Sequence, residues 1–283
     1  MAAAPTLLTT GTVNTGSAVT TTGSVTPAAD GALLLIVYAY QLGVFADTTT
    51  VSGAGLTWTK VKTVTGAAGL EILTLFVGYG GTPALGALTI TLSATAVGGR
   101  YAVVQQTAQD MSANPAGYSN SNSGTGTTGT VAMAAASVTA GRRMFSFFGH
   151  RIAEATTPDS TMLTWTEITD ATTTLAALEG QWVDGVDPTA SATWATSSSW
   201  LAIAMELKAA LLSGFRSNAL DAIDDKPSYD SWPTPSAGGE GRGSAYVLYG
   251  GATQRLLSVM FDSIGANANA VQRSKPKLHG LVN

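Results

Sequence analysis

The residue types that usually carry chemistry are scarce in this chain. His150 and His279 are its only imidazoles, and it has no cysteine. The two histidines lie in different regions, and no acid–Xaa–His spacing supports a metal site. Without cysteine there is no thiolate ligand, no disulfide framework and no sulfur nucleophile. No Gly-Xaa-Ser-Xaa-Gly elbow occurs, so a hydrolase triad would have to recruit His150 with no identifiable nucleophile. His150 follows a strand-like run and precedes Arg151, which reads as a polar residue at a loop edge. No glycine-rich loop leads into a Lys-Ser/Thr pair, so a phosphate cradle has no support. Asp184 and Asp187 lie near the turn after Trp182, and with Glu179 they carry the oxygen ligands that calcium takes. Acids are common at turns, and a structural role is the expected one. The expectation is therefore no catalytic, cofactor-binding or metal-binding residue, and no cofactor.

Binding leaves more candidates than catalysis. Tyr118 lies in a Ser/Asn/Gly-rich stretch over 112–128, which reads as a flexible connection or long surface loop. An exposed tyrosine there is a candidate glycan contact, because an aromatic face stacks on a sugar ring. Tyr229 and Trp232 sit among Pro227, Pro233 and Pro235, and Arg273, Lys275 and Lys277 make the end basic. These five are candidate partner contacts, since aromatic and cationic anchors dominate interfaces.

The elements that would position such residues come in a duplicated series. Leu56-Thr57-Trp58-Thr59 recurs as Leu163-Thr164-Trp165-Thr166, each at the same place in a run of strand-like segments. In the first half, Leu33 to Tyr40 is a short apolar run of a buried strand, and Leu70 to Tyr79 follows the Trp58 segment. Leu88-Thr89-Ile90-Thr91-Leu92 alternates with period two, and Tyr101 to Thr107 closes the series. In the second half Ser137-Val138-Thr139 echoes Ser24-Val25-Thr26, and Met144 to Phe148 replaces the Leu33 run. Leu175 to Val183 replaces Leu70 to Tyr79, Ser191 to Ala195 the alternating strand, and Trp200 to Leu207 the closing one. Within Leu56 to Val64, strict alternation places Leu56, Trp58, Lys60, Lys62 and Val64 on one face, with tryptophan inward and threonines outward.

Four or five strands per half fit two arrangements. In one, the halves interleave into a single jelly-roll sandwich; in the other, each makes its own small sandwich. The interleaved form is expected, because only 11% of residues are charged against the usual ~25%, which leaves little to cover two separate surfaces. The fold class is thus an all-β, jelly-roll-like antiparallel sandwich over residues 1–210, with half-repeats at about 20–110 and 130–208. After it the threonines give out, and bases outnumber acids from residue 208 onward. Leu211 to Ile223 reads as a short helix, Tyr246 to Tyr249 as a strand, and Gln254 to Ile264 as helix or strand. Residues 211–283 are expected to be an irregular arm that docks on a neighbouring subunit and promotes oligomerisation.

The net charge of −4 gives no general nucleic-acid footprint. The first residues carry no basic segment before an apolar core, so neither a signal peptide nor a membrane span is expected. Against this background the duplicated pattern, carried by Ser24 to Tyr40, Leu56 to Val64, Leu88 to Thr107, Leu163 to Thr169 and Ser191 to Leu207, resembles a module of bacteriophage and prophage virion proteins. The resemblance covers roughly residues 20–210. It implies a jelly-roll-like sandwich in a tail fibre, minor tail or head-decoration protein, with no catalytic residues. The function expected from it is that of a non-catalytic virion subunit, made in the host cytoplasm and acting through contacts with copies of itself, as a homotrimer, and with other virion proteins. The alternative is a carbohydrate-binding adhesin or receptor-binding module that recognises a host surface glycan.

Overall fold

The computed structural model describes residues 3–47, 49–109, 111, 113–133, 142–159, 163–185, 187–208, 244–247 and 257–260. The chain forms two compact units, Met1–Arg216 and Ser217–Asn283. In the second, the described residues form two short antiparallel strands, Ser244–Val247 and Leu257–Met260. The expected helix at Leu211 to Ile223 and the candidate contacts Tyr229, Trp232, Arg273, Lys275 and Lys277 lie outside the described residues.

The first unit is the expected all-β antiparallel sandwich. Its first half holds eight strands: β1 (Thr6–Thr12), β2 (Val19–Val25), β3 (Ala32–Tyr40), β4 (Thr50–Gly53), β5 (Thr57–Thr65), β6 (Glu71–Tyr79), β7 (Gly86–Thr91) and β8 (Gly98–Gln106). They make a five-stranded sheet, β1-β8-β3-β6-β5, and a three-stranded sheet, β2-β7-β4. Strand 1 pairs with 8, 2 with 7 and 3 with 6, which is the strand order of a jelly roll. Only β5 departs from it, pairing with β6 instead of β4.

The second half builds the same roll from fewer, longer strands: β9 (Ala116–Ala132), β10 (Arg143–His150), β11 (Thr157–Asp159), β12 (Thr166–Thr173), β13 (Ala176–Asp184) and β14 (Thr189–Leu207). β9 and β14 pair along both their parts, with register shifts between Thr193 and Ser198, where the ladder turns from one layer to the other, and between Met205 and Leu207. The later part of β14, from Ser198, lies beside β10, which pairs in turn with β13, and β13 with β12. Its earlier part pairs with β11 and with Thr128 to Ala132 of β9. Each repeat is therefore a jelly roll of its own, and among the described residues no ladder joins a strand of one half to a strand of the other.

Three apolar clusters hold the unit together. One fills the first roll, with Leu33, Leu35, Val37 and Phe76 facing Leu88 and Ile90. A second fills the second roll, where Met144, Phe148, Trp165 and Ala202 meet Ala190, Ala192 and Trp194. The third lies between the rolls: Leu34, Ile36, Leu73 and Leu75 of the first roll's five-stranded sheet meet Phe145, Phe147, Leu178 and Ile203 of β10, β13 and β14. Both faces of β3 and β10 are thus covered, and every residue of both strands is buried. Each such aliphatic or aromatic side chain contributes about 1.5–3 kcal/mol. Mutual cover also answers the charge shortage. The rolls need fewer solvated residues because their broad sheets shield each other, so the interleaved arrangement is not required.

Two further expectations change. Residues 116–132 are a strand, although Ser, Asn and Gly dominate them, because their backbone groups pair with β14. The counterpart of Val19–Val25 is thus Thr128 to Ala132, whereas Ser137 to Thr139 lies outside the described residues. Alternation also fails within the repeated Trp strand. An extra residue bulges from the ladder at Val61, between Lys60 and Lys62, and at Ile168, between Glu167 and Thr169. A bulge reverses the faces. Trp58 packs inside its roll, while Val61 and Val64 pack into the seam between rolls.

Candidate functional site

The shared bulge aligns the two rolls residue by residue: Trp58 with Trp165, Lys60 with Glu167, Thr63 with Asp170, Thr74 with Glu179 and Phe76 with Gln181. Through β6 and β13 the alignment extends to Leu35 with Ser146 and Ala39 with His150. It brings out a concentration of buried polar groups inside the second roll.

His150 is the last residue of β10, at the strand's edge on the loop, and is fully buried. Its ring stacks on Trp194 at 4.6 Å between centroids and 21° between planes, and Nε2 lies 2.9 Å from Thr156 Oγ1. Burial pushes its pKa down to about 4, against a smaller opposing pull from Glu154, so the imidazole is neutral at pH 7. Gln181 donates from Nε2 to Ser146 Oγ at 2.9 Å and to the Ser191 carbonyl at 3.0 Å. Glu179 is fully buried, and neither carboxyl oxygen finds a hydrogen-bond partner among the described residues. Burial first, then the charges of Glu167 and Asp170, raise its pKa to about 10. Asp170, directly opposite on β12, is raised too, chiefly by burial, with a hydrogen bond from the Thr156 amide opposing.

Burial favours the protonated form of Glu179 in this arrangement. The Thr156 hydroxyl beside His150 is the nearest thing to an activated nucleophile, yet it is buried with its partner. The other ring nitrogen, Nδ1, faces the Ile152 amide at 3.4 Å, where a triad would place an orienting carboxylate. The three acids considered for calcium do not converge. Glu179 points into the roll. Asp184, on the opposite face of β13, pairs with Arg143 at 2.8 Å. Asp187 accepts hydrogen bonds from the Leu163 and Thr189 amides and from Trp165 Nε1, which ties the repeated Trp segment to the start of β14. Among the described residues no group of three or more His, Asp and Glu side chains is placed to hold a metal ion. Tyr118 stands on β9, half-buried against the cluster inside the second roll, rather than on an open loop.

Charged and polar groups also pin the seam between the rolls. At one end Arg143 reaches the Ala3 carbonyl at 2.6 Å and Gln106 Oε1, and its guanidinium lies 4.2 Å from the Trp182 ring centre. At the other, buried Glu71 accepts from Ser199 Oγ at 2.6 Å, and Arg151 Nε approaches the same oxygen at 3.6 Å. Between them Tyr38 fills the space over Gly149, where a Cβ would stand 2.5 Å from the tyrosine ring. Tyr38 and Gly149 occupy the same position in the two rolls, so one supplies a knob and the other a hole.

No protein-family model, curated protein or solved structure matches the chain.

Proposed function

We propose that the protein is a non-catalytic structural subunit of a bacteriophage virion, in the head decoration or the tail, acting through contacts with copies of itself and with other virion proteins. What supports the reading is the destination of the polar chemistry. The ionisable groups that sequence offered for catalysis or metal binding are sealed inside the second roll or spent on the seam, so they serve cohesion. The charge-poor exterior and the resemblance of the repeat to virion modules point the same way, with residues 211–283 as the docking arm and a homotrimer as the assembly. The test is to probe purified particles for the protein by immunolabelling and mass spectrometry. Stoichiometric incorporation is expected, lost on deleting residues 211–283; a protein found only free of particles would defeat the proposal. A second reading, a carbohydrate-binding receptor module, is favoured by one feature of the first roll.

A further inference from the structure

That feature is a hollow opened by the displaced fifth strand. In a complete jelly roll β5 would pair with β4; here it pairs with β6, and the edges of β4 and β5 part. Between them lies an open hollow of about 400 Å³, lined by Thr49, Thr50, Val51, Trp58, Lys60 and Phe76. This falls within the ~300–1,000 Å³ of small-ligand sites.

Gly78 shapes its aromatic wall. A Cβ there would stand 2.9–3.0 Å from three atoms of the Trp58 six-membered ring. Near-equal distances mean that the ring lies flat over Gly78, so one face is covered by backbone and the other is turned away from the sheet. Trp58 Nε1 donates to the Gly53 carbonyl at 3.0 Å, which fixes the ring plane. In the second roll the position of Gly78 holds Val183, and Trp165 is buried. The polar lining is equally specific. Thr49 is fully buried, and its Oγ1 has no hydrogen-bond partner among the described residues. At the rim Lys60 Nζ pairs with Asp47 Oδ1 at 2.7 Å, presenting a donor and an acceptor side by side.

We infer that this hollow binds one pyranose ring of a neutral oligosaccharide. A sugar combines an apolar C–H face, which suits the part of the Trp58 ring that borders the hollow, with hydroxyls that donate and accept at once. Such hydroxyls satisfy Thr49 Oγ1 and bridge the Lys60–Asp47 pair, whereas an anionic ligand would meet Asp47 and a purely apolar one would leave Thr49 unpaired. The inference names residues and a ligand class for the receptor reading and holds wherever the protein is located.

The test is saturation-transfer NMR and titration of Trp fluorescence on the full chain. The probes are the methyl pyranosides of glucose, galactose, mannose and N-acetylglucosamine, with a proline-rich peptide as the competing ligand class. At least one pyranoside is expected to bind at millimolar concentration through its C–H face. Trp58→Ala should weaken it about tenfold or more, and Thr49→Val roughly threefold to tenfold. Thr49→Val keeps the shape of the side chain, so it decides the matter should Trp58→Ala fail to fold. The inference fails if no pyranoside in the panel binds, if only the peptide does, or if Thr49→Val binds as tightly as the parent chain. None of these results bears on particle incorporation, so the two readings stand or fall separately.

Discussion

The two rolls share a backbone and differ in what fills it. Where the first has Leu35, Ala39, Thr63, Thr74 and Phe76, the second has Ser146, His150, Asp170, Glu179 and Gln181. In the first roll Thr63 donates to Thr74 at 3.3 Å; in the second a pair of carboxyl groups, Asp170 and Glu179, takes that place. The same pairing order survives both fillings. Topology is therefore carried by what the rolls have in common: the strand series, the bulge at Val61 and Ile168, and the apolar face each turns to the other. The filling is free to diverge, at a cost in stability that falls on the second roll.

The shared face should give the largest effect. Phe147 is fully buried in the seam, so Phe147→Ala should cost about 3–5 kcal/mol by denaturant titration. The loss should appear as one cooperative transition, because neither broad sheet keeps its cover when the other leaves. Two separate transitions, with the first roll melting unchanged, would show that the rolls are stable alone and that the seam is incidental.

The divergent filling comes next. Glu179 has a folded pKa of about 10 against an ordinary 4.5, so the folded state keeps a proton that the unfolded chain loses above pH 4.5. Its cost is absent below pH 4.5 and grows as the pH rises towards 10. Glu179→Gln should therefore change stability little at pH 4 and raise it by about 2–3 kcal/mol at pH 7. His150 acts in the opposite part of the range. Its folded pKa of about 4 lies below the ordinary 6.5, so its contribution is complete above pH 6.5 and is lost as the pH falls towards 4. A gain from Glu179→Gln that is equal at both pH values would mean the carboxyl is not held neutral.

Much of this architecture was legible in the sequence. The repeated Leu-Thr-Trp-Thr, the apolar runs and the period-two segment placed β3, β5, β6, β7 and β8 and most of their partners. Three features were hidden for physical reasons. β9 looks like a loop because half of a strand's stability lies in its partner; Asn120 and Asn122, which suggest turns, donate to the Ala132 and Thr130 carbonyls instead. The bulges are invisible because one extra residue leaves composition unchanged while reversing every later side chain. Glu179 reads as a possible calcium ligand, yet β13 has a layer on each side, so an acid in mid-strand is buried, while Asp184 at the strand's end stays exposed. The signal was available: Leu178 and Trp182 alternate with Ala177 and Val183, and a strand apolar on both faces has no outside. The hollow at Trp58 depends on Gly78 and on where β5 finds its partner, which local sequence does not encode.

The smallest effect separates the hollow's rim from the seam. Asp47 is largely exposed and Lys60 partly so, whereas Arg143, which pairs with Asp184 at the seam, is buried. An exposed pair gains little Coulomb energy in water and is screened by salt, so Asp47→Asn should cost less than about 1 kcal/mol, and less still at high ionic strength. The counterpart of Lys60 is Glu167, and the second roll keeps its fold with a carboxylate where the first has an ammonium. A roll that stands with either sign at this position does not depend on the ion pair. If Asp47→Asn cost as much as a core substitution, the rim would be a structural clasp, and its donor and acceptor would not be free to turn towards a ligand.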